Sequence, residues 1–221
     1  MPTVATGVHL GSGGPGTIAA LAVTDSCAQH PFVPRLLGPH AAGRDLADAI
    51  HALCAVHGRA NMIFETAARQ RIPDVDHRWL DDAAAAIAAE RGYLAALTAA
   101  VGPLPSTPGQ AESDSAFAAL RHAFDTLAGS DRLGCATGAA IALLIDWQTF
   151  RRICDTAAER VGLETPPCEL PGEVAIVRIG AAAGASPAVH RAMRFGAQQA
   201  FAQHRGLLCL IEARATARDR H

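Results

Sequence analysis

The chain has 221 residues, half of them hydrophobic but only 5% aromatic, and a formal charge of −2. That length buries a substantial core without disulfides or structural metal, and the near-neutral balance leaves no basic face of the kind a nucleic-acid binder needs. The basic side chains are all Arg; with no Lys in the chain, Schiff-base and P-loop lysine chemistry is excluded.

Alanine supplies much of the hydrophobic content, and an Ala-rich, aromatic-poor core predicts helices packed at close range. Residues 1–40 carry Gly and Pro clusters around one short apolar piece and read as an irregular arm, with a helical bundle domain over 41–221. Within the arm, "GSGGPG" matches G-x-G-x-x-G at Gly11, Gly13 and Gly16. A dinucleotide site also requires a second strand ending in an acid about 20 residues on. The chain has "HPFVPRLLGPH" there, so the motif reads as a turn. The neighbouring "TVATGVHL" is strand-like, as is "EVAIVRI" further on, and no feature of the pattern fixes a pairing between them.

From Arg44 the spacing turns helical. Leu46, Ala49, Ile50, Leu53 and Cys54 share a face before Gly58 stops the helix, and a shorter piece follows up to Pro73. A long helix then runs from about Asp76 to a Gly102–Pro103 stop. After the loop "PLPSTPGQ", Phe117, Leu120, Phe124 and Leu127 mark one buried face. The next helix, capped by Ser130 or Asp131 and ending at Gly162, is apolar or small all round between Leu133 and Ile145, as in a helix central to a bundle. Ser186 and Pro187 open the last long helix. The expected fold is all-α: an antiparallel bundle of four to five helices, ferritin-like in outline, because short connectors make sequential helices antiparallel neighbours.

No apolar run is long enough to span a bilayer, so no membrane partner is expected. The six cysteines form no Cys-x-x-Cys pair. With no signal-peptide pattern at the start, a reducing, cytoplasmic compartment is expected.

His51, Cys54 and His57 share a helix face, but His51 and His57 stand about 9 Å apart along the axis, too far to ligate one ion. No Glu is followed three residues later by His, so the usual di-iron set is missing. A non-standard metal site would draw on His51, Cys54, Glu65, Glu90 and His122, holding iron, manganese or zinc. Otherwise no cofactor is expected. Asp146 follows an apolar run directly, and burial there demands a partner, for which Arg121, Arg151 and His122 are candidates. Gly134 and Gly138 cost helix stability and so mark close approach of another backbone or a ligand.

At "GPLPSTPGQAESDSA", "SDRLGCATGAAIALLIDWQTFR" and "FGAQQAFAQHRGL" the chain resembles a family of uncharacterised bacterial all-helical proteins, from about Asp45 to Arg214. The resemblance implies a compact α-helical unit and carries no activity over to any residue. The leading expectation is a non-catalytic binding or interaction module for an unknown small molecule or protein. Its pocket would lie among Glu90, His122, Gly134, Gly138 and Asp146. The alternative is a ferritin-like metal-dependent oxidoreductase. A third reading is a homo-oligomer joined through Phe195, Phe201 and Leu207 on the last helix.

Overall fold

In the computed structural model, residues 18–58, 61–73, 77–172, 175–176 and 186–220 are described. Among them every regular element is helical. Short helices α1 (Ile18–Asp25) and α2 (Val33–Leu37) flank a 3-10 turn, Cys27–Gln29. Then come α3 (Gly43–His57), α4 (Asn61–Arg69), α5 (Arg78–Ala100), α6 (Gln110–Ala128), α7 (Cys135–Val161) and α8 (Pro187–Asp219).

The helix boundaries follow local chemistry. The α3 helix ends at Gly58. At α8, the Ser186 side chain accepts from the Val189 N–H and Pro187 takes the first helical position, where its missing N–H costs nothing. The α7 helix starts later than Ser130 or Asp131 would place it. Gly134, with φ of +95°, turns the chain into the helix, and Gly162 at +69° turns it out. Two expectations change. Ala175 and Ile176, from the strand-like "EVAIVRI", are helical, and the rest of that piece and "TVATGVHL" lie outside the described residues. The second half of the arm is built into the core: Ile18, Leu21, Cys27, Phe32, Val33 and Leu36 are all buried there. Residues 1–17, with the glycine motif, are outside the described residues.

The apolar stretch of α7 is the centre of the bundle. Every residue from Cys135 to Leu144 is buried, and α7 packs against each of the other seven helices. Its main partner is α8. A Cβ on Gly138 would stand 1.9 Å from the Met193 carbonyl oxygen, and one on Gly196 would stand 2.0 Å from that of Cys135. The two backbones therefore touch, and a side chain at either glycine has nowhere to go. Contacts advance together along both helices, from Gly134 against Val189 to Gly138 against Met193 and Asp146 against His204. Hence α7 and α8 run in the same direction, so the bundle is not antiparallel throughout as the short connectors elsewhere led us to expect. Residues 162–186 supply the long return that a parallel pair requires.

Substituting Gly138→Ala or Gly196→Ala forces the helices apart. Each is expected to cost about 3 kcal/mol or more, toward the upper end for overpacked sites, read as a lower urea midpoint. Gly172→Ala, where a Cβ meets nothing within 4 Å, should change stability little.

Candidate functional site

Ionisable residues that fall in the apolar register of a helix must find partners on burial. Three such networks form. The most deeply buried surrounds Asp146, which is 0% exposed. Its Oδ1 accepts from the Ser26 hydroxyl at 2.6 Å and the Cys27 backbone N–H at 3.0 Å, and its Oδ2 accepts from His204 Nδ1 at 2.7 Å. Asp146 thereby clamps the 3-10 turn of the N-terminal segment onto α7 and α8. Its partners are none of Arg121, Arg151 and His122. Burial, and then the charge of Asp146, push the Cys27 thiol well above its usual range, so Cys27 is an inert core thiol.

His204 donates its Nδ1–H to Asp146, and its other ring nitrogen, Nε2, points into the core. That atom has no partner, and neither does Nε2 of His57. The two rings lie 5.1 Å apart inside a cage of Phe124, Trp147 and Phe150. Burial, and then the neighbouring His204, push His57 well below the ordinary imidazole value. An aspartate orienting an imidazole with a free Nε2 is the arrangement of a general base. Here both rings are enclosed, His204 at 0% and His57 at 2% exposure. The void beside His57, lined by Val56, Met62, Ile63 and Phe124, is about 10 Å³, the size of one water-sized sphere.

The second network lies on the next residue of α7. Trp147 donates its indole N–H to Glu90 at 3.1 Å, and Arg151 donates to the other Glu90 oxygen at 2.6 Å and to Asp155 at 2.7 Å. Arg151 also bonds the Pro166 carbonyl and covers the Tyr93 ring at 4.8 Å. Burial works against the guanidinium's charge, but Asp155 and Glu90 outweigh it and raise its pKa. Burial, chiefly, pushes the Tyr93 phenol up to about 12.

The third network joins α3 to the end of α8. Arg214 donates to both oxygens of Asp48 and to Gln110, and Arg218 donates to Asp48 at 2.7 Å and Asp45 at 2.9 Å. The loop "PLPSTPGQ" supplies the remaining acceptors, the Thr107 hydroxyl and the Pro105 carbonyl.

The five residues of the metal reading do not converge. His51 Nε2 is 2.8 Å from the Gly102 carbonyl, Glu90 is held by Arg151 and Trp147, and Glu65 and His122 are exposed. Among the described residues, no group of three or more His, Cys, Asp or Glu side chains could hold a metal ion. Of the residues expected to line a pocket, Gly134 and Gly138 face α8, Glu90 and Asp146 belong to separate networks, and His122 is exposed. Phe201 and Leu207 are fully buried, so of the expected apolar stripe only Phe195 is exposed, at 43%. Among the described residues no helix is long and apolar enough to cross a membrane.

An open groove lies elsewhere, between α6, the turn into α7, and α8. Its volume is about 470 Å³, and Thr126, Ser130, Arg132, Phe195, Gln199 and Gln203 line it. The Arg132 guanidinium stands over the Phe195 ring at 5.7 Å. Sequence reasoning missed this groove because its polar residues look like ordinary helix surface. It also missed His204, Arg214 and Arg218 as core residues. Their signal was register: they continue the three-to-four spacing of Phe201, Leu208, Ile211 and Ala215 along α8.

A family model, described as a family of unknown function (DUF6975), matches residues 22–219. The match includes residues 22–40 of the N-terminal arm as well as the stretch from Asp45 to Arg214 that carries the resemblance. No curated protein and no solved structure matches the chain.

Two measurements test the Asp146 centre. Asp146→Ala leaves buried donors on Ser26, Cys27 and His204 unpaired and should cost about 3–5 kcal/mol in urea unfolding, the range for a broken buried pair. His57 is held below its unfolded value of about 6.5. The unfolded chain therefore takes up a proton at His57 that the folded chain does not. Stability is full above about pH 6.5 and falls as pH drops below it, by up to about 1.4 kcal/mol per pH unit from this residue. In His57→Gln that part of the slope should vanish from denaturation midpoints measured between pH 7 and pH 5.

Proposed function

The chain belongs to that family of unknown function, and from its geometry we propose a non-catalytic binding or interaction module whose recognition surface is the groove between α6 and α8. One observation carries the reading. The buried ionisable groups of the three networks are spent on holding helices together, whereas the groove presents an aromatic ring, a guanidinium and two carboxamides to solvent in one place. Phe195 offers a flat apolar face, Arg132 and Gln203 offer donors, and Ser130 and Gln199 add polar adaptability. A small molecule or peptide side chain with a flat or apolar body and an oxygen acceptor fits that combination.

The reading moves the expected binding site from the bundle interior to its surface. Groove residues touch solvent, so they can be changed without disturbing the core. A fragment library screened by amide chemical-shift perturbation should give hits clustered at residues 123–135 and 195–203. Arg132→Ala combined with Phe195→Ala should weaken those hits by tenfold or more, about 1.4 kcal/mol, with an unchanged melting temperature. Hits that cluster elsewhere, or that survive the double substitution, would overturn it.

A further inference from the structure

The groove between α6 and α8 carries charge of one sign. Of the described residues that line it, Arg132 is the one charged side chain. Two acids stand near it in sequence, and neither borders it: Asp125 lines the void beside His57, and Asp131 is exposed outside the groove lining. Among the described residues no carboxylate pairs with Arg132, whose guanidinium stands over the Phe195 ring at 5.7 Å. A ring offers no oxygen lone pair, so the guanidinium keeps its N–H donors for a further partner. Phe195, Gln199 and Gln203 follow one another at four-residue spacing and share one face of α8. Among the described residues neither carboxamide has a hydrogen-bond partner. The three side chains span about 12 Å of helix, and Leu127 and Cys135, both buried, close the deep side of the groove with apolar surface.

We propose that the groove takes a planar organic carboxylate, with its charge on Arg132 and its flat body along the stripe from Phe195 to Gln203. The assignment rests on the groove reading and adds the charge and shape of what is bound. A flat, two-pronged anion matches the fork of a guanidinium, and its one negative charge balances the one positive charge present. A phosphate dianion would keep uncompensated charge there, and a cationic ligand would be repelled. The flat body buries apolar surface against Phe195, Leu127 and Cys135. Polar substituents at its far end meet two carboxamides that both donate and accept.

The test uses an isosteric pair of probes, 2-naphthoate and 2-naphthamide, titrated into the full-length chain and followed by amide chemical shifts. Both are expected to shift residues 123–135 and 195–203, with the carboxylate binding about fivefold tighter or more, the scale of a charge-assisted hydrogen bond against a neutral one. Arg132→Gln keeps a neutral donor at an exposed position. It should bring naphthoate down to the affinity of naphthamide and leave naphthamide unchanged. Equal affinity of the two probes in the groove overturns the carboxylate proposal and leaves the groove reading intact. Naphthoate that leaves the groove residues unmoved overturns it too, as does a preference that survives Arg132→Gln in a folded chain. Shifts by both probes only at residues outside the groove overturn the groove reading and the carboxylate proposal together. Should the variant fail to fold by circular dichroism, the wild-type ratio of the two probes decides.

Discussion

The direct contact between the backbones of α7 and α8 is the constraint from which the interior is built. With Gly138 against Met193 and Gly196 against Cys135, the helices have one register available. Eight residues beyond each glycine on its own helix, about 12 Å of rise, that register brings Asp146 opposite His204. A slip of one residue would turn the carboxylate away from the imidazole and from the turn it clamps. The glycines set the distance, and the polar pair then accepts a single alignment. Apolar packing alone would tolerate neighbouring registers, since alanine faces are smooth and alike.

Around that pair, arginine does the long-range joining. Arg151 ties α7 to α5 and to the connector at Pro166, and Arg214 and Arg218 tie α8 to α3 and to the loop before α6. A guanidinium presents five donors in a flat fork, so one side chain can satisfy carboxylates and loop carbonyls together where an ammonium would serve fewer and hold them less rigidly. Buried ion pairs of this kind add modestly to net stability and more to the choice of one arrangement over its rivals. That suits a bundle rich in small residues, where shape alone specifies little.

Periodicity exposed most of the architecture. The faces of α3, α5, α6 and α8, the all-round apolar stretch of α7, and the Gly58, Gly162 and Ser186–Pro187 boundaries could all be read from residue spacing, because each depends on neighbours within a turn or two. The need of Asp146 for a partner was equally legible. Which partner it finds was not, since Ser26, Cys27 and His204 are brought to it by packing between distant elements. The N-terminal segment misled for a related reason. Proline and glycine clusters look like a loose arm, yet the short helices between them are stabilised by what they rest on, not by their own length. Gly134 and Gly138 signalled close approach correctly, while the identity of the approaching group required the long return through residues 162–186.

The clamp on the Ser26–Cys27 turn also bears on the order in which the chain assembles. Its hydrogen bonds to Asp146 close loops of more than a hundred residues, and such contacts are repaid only after the entropy of closure has been met. The acceptor is in place once α7 and α8 have come together, so the Ser26–Cys27 turn docks onto a seam that is already formed. Until then Phe32, Val33 and Leu36 have no surface to bury against, and the groove they later fill on α7 stays open. The N-terminal segment is thus tied to the bundle through a carboxylate that the α7–α8 seam itself positions.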